Sequence, residues 1–272
     1  MKYLGGKQRL GKHLYPVLRE KLEQYNEKNE VPLEGYMEPF CGSLGVLKHF
    51  ANEFQNGEFP VYANDYHPDL ICMWKAVQEG TLEYPEAISE EEFLAAKELK
   101  SPNAMKAFVG FGMSFGGRFF AAYSQKYLNG KKEDFCREMV RSLQRTKPMI
   151  EKVTFTNDDY LSFQPKNMFL YCDPPYEYNK YPVKYRRETK VYDVFDNKKF
   201  WETMREWSNE NLVFISEVKA PDDFIEVWQQ VNNRTAAQSE KTRYKSKTTE
   251  KYSIEKLFVW KDGKSAKLYS NL

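Results

Sequence analysis

The sequence predicts an α/β fold, a Rossmann-like doubly wound sheet interrupted by a mostly helical insertion. Three observations lead there. A short strand, Glu34–Phe40, runs into a Gly-bearing turn, Cys41-Gly42-Ser43-Leu44-Gly45, and then into a helix, Val46–Phe54. A second strand, Val61–Asp65, ends on an acid before Pro68 opens a helix through Val77. Short apolar, β-prone runs then return at Val153–Thr156, Met168–Cys172 and Leu212–Ser216, the kind a sheet buried on both faces uses. Strand, Gly turn, helix, strand and acid make one half of a doubly wound nucleotide-binding sheet.

The remaining elements fit around that frame. Leu14, Val17, Leu18, Leu22 and Tyr25 recur at helical spacing and predict a helix over Lys12–Asn26. From about Glu79 to Lys147 the strand signal fades, and Glu91–Leu99, Asn103–Val109 and Lys132–Arg145 read as helices. A Gly- and Phe-rich stretch, Gly110 to Arg118, lies among them. Residues 1–78 and 148–272 are therefore expected to form one α/β domain, with 79–147 inserted. Lys199–Trp207 is predicted as a helix, and Lys256–Trp260 as an antiparallel strand at the sheet edge.

Composition excludes several classes. A hydrophobic fraction of 41% over 272 residues supports an ordinary buried core. No apolar run approaches the roughly 18 residues of a membrane span, and Met1 to Lys7 has no signal-peptide character. A soluble intracellular protein is expected, cytoplasmic or, for a viral or phage protein, within the host cell. Cys41, Cys72, Cys136 and Cys172 form no close pair and have no His cluster beside them, so buried thiols are expected and no metal site. The net charge of +2 is nearly neutral, but basic residues cluster at Lys180, Lys184, Arg186, Arg187 and Lys190, and again at Lys241, Arg243, Lys245, Lys247 and Lys251. Such clusters, interleaved with aromatics, suit a phosphate backbone; solvated loops produce them as well.

Chemistry concentrates in three stretches. Tyr171-Cys172-Asp173-Pro174-Pro175-Tyr176 sits at the C-terminal end of an apolar strand, where open α/β sheets bind ligands. The prolines remove backbone donors, so a carboxylate and carbonyl oxygens offer adjacent acceptors to a planar amine. Tyr176 offers a face on which a base can stack. A purely structural Pro-Pro turn is the competing reading. In Glu38 to Gly45, glycines between strand and helix admit a ligand close to the backbone, but the G-x-G-x-x-G spacing of pyrophosphate sites is lacking. Asp65 at the next strand end can grip ribose hydroxyls, or can cap the helix that Pro68 opens. Tyr3-Leu4-Gly5-Gly6-Lys7 reads as a disordered tail or as a loop folded over a ligand.

Together these stretches resemble, in order and spacing, the Dam-type DNA adenine methyltransferases of the D12 class. The resemblance rests on Tyr3…Gly5-Gly6-Lys7, Pro39-Phe40-Cys41-Gly42-Ser43-Leu44-Gly45, Asn64-Asp65 and Asp173-Pro174-Pro175-Tyr176. It implies the S-adenosylmethionine-dependent methyltransferase type of sheet and methyl transfer to N6 of adenine in DNA. Double-stranded DNA with a flipped-out adenine is the implied partner, and a cognate restriction endonuclease is compatible with the resemblance. Tyr3 and Lys7 would lie against the cofactor and the mouth of the site, Phe40 and Gly42 beside the methionine moiety, and Asp65 on the ribose. Asp159, with Asp158 as its substitute, would meet the cofactor's adenine. Asp173, also beside the cofactor, the Pro174 carbonyl and Tyr176 would hold the target base.

Two departures stand out. Tyr3 replaces a frequent Trp, and Ser114 to Arg118 only loosely matches the recognition region. Sequence-reading contacts are expected from the insertion, with Arg118 first and Lys126 beside it. Phosphate contacts are expected from Lys184, Arg186, Arg187, Lys245 and Lys247. N4 of cytosine or adenine in RNA would fit the same pocket, and a catalytically silent DNA-binding protein is the other alternative.

Overall fold

The computed structural model describes residues 1–124, 127–128, 131–132, 134–176, 195–233 and 252–269. In chain order the helices are α1 (Gly11–Lys28), α2 (Leu47–Glu53), α3 (Pro68–Glu79), α4 (Glu90–Lys97), α5 (Ala104–Gly112), α6 (Phe135–Thr146) and α7 (Asn197–Ser208). The strands are β1 (Tyr36–Glu38), β2 (Val61–Asn64), β3 (Tyr127–Leu128), β4 (Lys131–Lys132), β5 (Thr154–Thr156), β6 (Phe169–Cys172), β7 (Leu212–Glu217), β8 (Phe224–Asn233) and β9 (Tyr252–Trp260).

Seven strands form one sheet in the order β5-β2-β1-β6-β7-β9-β8. The first five are parallel, β9 runs antiparallel to β7, and β8 antiparallel to β9. Alternation along the strands separates two apolar faces. Phe169 and Tyr171 of β6 join Tyr36, Phe214, Leu257 and Val259 on one face. Leu170 and Cys172 join Met37, Val213, Ile215 and Phe258 on the other, where α7 covers them with Phe200, Trp201, Met204 and Trp207. Both faces being covered explains why the parallel strands read as continuous apolar runs.

The helices between the two halves of the sheet share the first face's core. Phe93 of α4, Phe108 and Phe111 of α5, and Met139 and Leu143 of α6 lie in the cluster that also holds Leu14, Leu18 and Leu22 of α1. Their starts are marked in the sequence by acceptor side chains. Ser89 and Glu92 form a capping box on α4, while Asn103, Asp134 and Asp196 cap α5, α6 and α7. The middle segment also contains a two-residue hairpin, β3 with β4, which its helical character does not announce.

The C-terminal part of the sheet corrects one expectation. Lys256–Trp260 is indeed antiparallel, but it is not at the edge, because β8 lies outside it. No apolar alternation marks β8: Glu226, Gln229 and Gln230 interrupt it, and the pairing shifts register between Glu226 and Trp228. A bulged edge strand with one wet face leaves a weak period-two signal. Cys41, Cys136 and Cys172 are buried free thiols, and Cys72 is half-buried. Among the described residues no helix is long and apolar enough to cross a membrane.

Candidate active site

The strand order reverses between β1 and β6, the place where doubly wound sheets open a crevice at their carboxyl ends. Both chemistry-bearing turns leave the sheet there: Pro39 to Gly45 after β1 and Asp173 to Tyr176 after β6.

Lys7 reaches the second turn from the N-terminal loop. Its Nζ donates to Asp173 Oδ1 at 2.7 Å and to the Gly5 carbonyl at 3.3 Å. It lies 4.6 Å from the centre of the Tyr176 ring and 3.6 Å from Glu255 Oε2. The Tyr176 hydroxyl donates to that same Glu255 oxygen at 2.9 Å. Lys7 is buried, and its neighbouring carboxylates raise its pKa against the opposing effect of desolvation. For Asp173 burial dominates and raises the pKa, while the Lys7 ammonium pulls it down. Glu38, at the end of β1, is 2% exposed and accepts from Tyr36 Oη at 2.7 Å; desolvation pushes its carboxyl far above the usual range. Lys7, Asp173 and Tyr176, all singled out from the sequence, are thus brought together. Glu255 was not among the predicted residues.

The first turn is braced from β2 and α3. Asp65 Oδ2 accepts from Gly42 N and Oδ1 from His67 N, each at 2.9 Å. The cap of α3 is His67, whose Nδ1 accepts from Leu70 N, so Asp65 does not cap the helix by its side chain. Burial raises the Asp65 pKa to about 6. Trp74 of α3 donates from Nε1 to the Gly42 carbonyl at 2.9 Å. Asn64 joins three strand ends: its Nδ2 donates to the Pro39 and Asp158 carbonyls, and its Oδ1 accepts from Thr156 Oγ1 and Asp158 N.

Glycines in the turn make room for the N-terminal loop. A Cβ on Gly42 would stand 3.1 Å from the Tyr3 ring, and one on Gly45 would stand 2.6 Å from the Lys7 carbonyl carbon. The loop is held from its other side too, by a hydrogen bond from Leu4 N to Gly117 O at 3.2 Å and by Tyr3 packed 5.0 Å from Phe111. It is a folded loop, not a tail.

Several features suit a ligand with a polar end, a sugar and a flat ring. Ser43 Oγ in the turn is buried and has no hydrogen-bond partner among the described residues. Each Asp65 oxygen retains acceptor capacity beyond the one bond it makes. Phe40, half-buried, lies 5.0 Å from Tyr160, centroid to centroid, with Asp159 next to Tyr160 in the chain. Asp159 is exposed and accepts from Leu161 N, whereas Asp158 is tied by its backbone to Asn64. Arg118 is exposed beside the Gly117 that contacts Tyr3. Lys126, Lys184, Arg186, Arg187, Lys245 and Lys247 lie outside the described residues.

Five parallel strands in this order, then a single reversed strand, β9, with β8 outside it, and an acid at the second strand's end, fit the expected S-adenosylmethionine-dependent methyltransferase type of sheet. The model of the D12 class N6 adenine-specific DNA methyltransferase family matches residues 3–110, which hold the N-terminal loop, the Gly turn and Asp65. This match bears out the resemblance, the enzyme class of adenine-specific DNA methyltransferases, and S-adenosylmethionine as cofactor. Among solved structures the chain is similar to magnesium protoporphyrin IX methyltransferase (ChlM) from Synechocystis PCC 6803, at 10% identity and a TM-score of 0.33, covering 92% of this chain and 81% of that one. It is similar also to the rRNA methyltransferase aviRa from Streptomyces viridochromogenes, at 10% identity and a TM-score of 0.33, covering 94% and 88%. No match was found among the curated proteins.

Proposed function

We propose that this protein transfers a methyl group from S-adenosylmethionine to N6 of an adenine flipped out of duplex DNA, with Asp173, the Pro174 carbonyl and Tyr176 holding the base. The observation that carries this reading is the Asp173 carboxylate at the end of β6, facing the switch point and hydrogen-bonded to Lys7 at 2.7 Å.

When bound, the cofactor supplies a methyl group on positively charged sulfur as the electrophile. Gly42 and Ser43 would hold its polar end, Asp65 its ribose, and Phe40 with Asp159 its ring; Tyr3 and Lys7 would close over it. The chain's own work is on the nucleophile. The N6 lone pair of adenine is delocalised into the ring, so the amine attacks poorly as it stands. Asp173 and the Pro174 carbonyl would each accept one N6 hydrogen, favouring the pyramidal nitrogen of the transition state over the flat ground state. As N6 gains its new bond to carbon it sheds one hydrogen as a proton, at the Asp173 carboxylate. Orienting the reactants can itself recover on the order of 7–11 kcal/mol. Extruding the base costs roughly a few kcal/mol, and stacking on Tyr176 would return about 1–3 kcal/mol of it.

The same reading divides the DNA contacts. Residues 79–147 would read sequence, Arg118 and Lys126 foremost, because base edges need donors in fixed places. Lys184, Arg186, Arg187, Lys245 and Lys247 would neutralise phosphates.

Nucleoside mass spectrometry of unmethylated genomic DNA, incubated with the protein and S-adenosylmethionine, tests the proposal. N6-methyladenine is expected from the wild type and none from Asp173→Ala, with both proteins melting as folded domains. N4-methylcytosine as the product, or wild-type turnover by Asp173→Ala, would overturn it.

A further inference from the structure

Glu255 enters the site from β9, the strand that follows residues 234–251. On that strand it falls on the same side as Leu257 and Val259, which face the core, so a carboxylate stands where the alternation calls for an apolar group. It meets two partners there: Lys7 Nζ at 3.6 Å and the Tyr176 hydroxyl at 2.9 Å. Neither contact is needed to build the sheet. Both join residues of distant segments around Asp173.

We infer, on the reading of the site given above, that Glu255 is a positioning residue for methyl transfer. It anchors Lys7 to one oxygen of Asp173 and fixes the Tyr176 ring, leaving the other Asp173 oxygen for the target amine. Three features carry this. First, the Lys7 ammonium donates to Asp173 Oδ1 and the Gly5 carbonyl and is ion-paired with the Glu255 carboxylate at 3.6 Å, so it is held from three sides and does not swing across Asp173. Secondly, the ammonium lies over the Tyr176 ring at 4.6 Å while the hydroxyl is pinned, so a base stacks on the opposite ring face. Thirdly, charge: Asp173 and Lys7 alone would be a neutral pair, and Glu255 makes the trio net negative. Methyl transfer moves positive charge onto the amine, and a fixed negative charge in a water-poor site favours that movement.

The groups facing Asp173 are Lys7 from the N-terminal loop, Glu255 from β9, Glu38 from β1, and Tyr171, Cys172 and Tyr176 from its own segment. Glu255 raises the Asp173 pKa, so removing its charge lets that pKa fall. A residue that only stabilised the fold would not move it.

The test compares Glu255→Gln, Glu255→Asp and the wild type on unmethylated genomic DNA, reading kcat, KM for S-adenosylmethionine, the pH profile and the thermal midpoint. Glu255→Gln should lose tenfold or more in kcat, change KM less than threefold, and carry the acid limb of kcat to lower pH. Glu255→Asp keeps the charge one methylene short, so the acid limb should stay in place with an intermediate kcat. If Glu255→Gln melts below the assay temperature, Glu255→Asp decides: a wild-type kcat overturns the proposal, a lowered one supports it. A Glu255→Gln enzyme with wild-type kcat and pH profile overturns it while leaving the adenine reading intact. A wild type that makes no N6-methyladenine defeats the underlying reading instead.

Discussion

Asp65 illustrates how much a single carboxylate has to do at this crevice. Its two oxygens hold Gly42 N and His67 N, which ties the Gly turn to the start of α3. Burial raises its pKa to about 6, so the charged form, which would accept ribose hydroxyls best, predominates only above that pH. Affinity for S-adenosylmethionine should therefore weaken as pH falls below about 6, approaching tenfold per pH unit once the group is mostly protonated. Asp65→Ala should weaken binding by roughly 1.5–3 kcal/mol and abolish that pH dependence. Calorimetric titrations at pH 5, 6 and 8 measure both. An Asp65→Ala protein that retains the wild-type slope would assign the pH effect to another group. The sequence exposed Asp65 through its place at a strand end, and left it undecided between ligand and helix cap. The decision needed three-dimensional information, because His67 competes for the same capping role two residues later.

At the scale of elements, Asn64 is what keeps the carboxyl ends of β1, β2 and β5 together. It is 1% exposed, and its amide makes four hydrogen bonds to groups from the other two strand ends. Asn64→Ala leaves the buried Pro39 carbonyl, the part-buried Asp158 carbonyl and N–H and the Thr156 hydroxyl short of a partner, which should cost about 2–4 kcal/mol. Asn64→Asp should cost a similar amount, since a carboxylate cannot donate to the Pro39 and Asp158 carbonyls. Urea denaturation at neutral pH checks both; an unchanged midpoint for either would show that the strand ends hold without this bridge. Legibility at this scale followed burial. The central parallel strands showed themselves because both faces are covered and their runs are apolar and buried, as in Phe169–Cys172 of β6 and Leu212 to Ile215 of β7. β8 stayed hidden because Glu226, Gln229 and Gln230 and a bulge break its period. Glu255 was passed over for the opposite reason: an acid near a strand end looks solvated until the strand's buried side is known, and only the Leu257/Val259 face could have marked it.

Over the whole molecule, the site depends on the first seven residues being laid against segments more than thirty positions away. Gly45 is the contact that permits this, since a Cβ there would stand 2.6 Å from the Lys7 carbonyl carbon and 2.9 Å from Lys7 Cα. A backbone cannot yield as a flexible side chain does, so Gly45→Ala must shift the loop, and with it the Lys7 ammonium now 2.7 Å from Asp173. The expected cost is about 1–3 kcal/mol of stability, typical of overpacking a tight contact. Methyl transfer should fall by tenfold or more, because an error near 1 Å in a positioned group costs on that order or worse. Gly57→Ala is the matched control. Gly57 has φ 81° with nothing within 4 Å of its would-be Cβ, so an alanine there strains only the local backbone. That variant should lose about 1 kcal/mol of stability and keep its turnover. The two are compared by thermal melting and by the initial rate of adenine methylation at a temperature where both are folded. Equal turnover in the two would mean that Lys7 reaches Asp173 without the close packing of the loop on the Gly turn, and that the glycine at 45 serves the ligand alone.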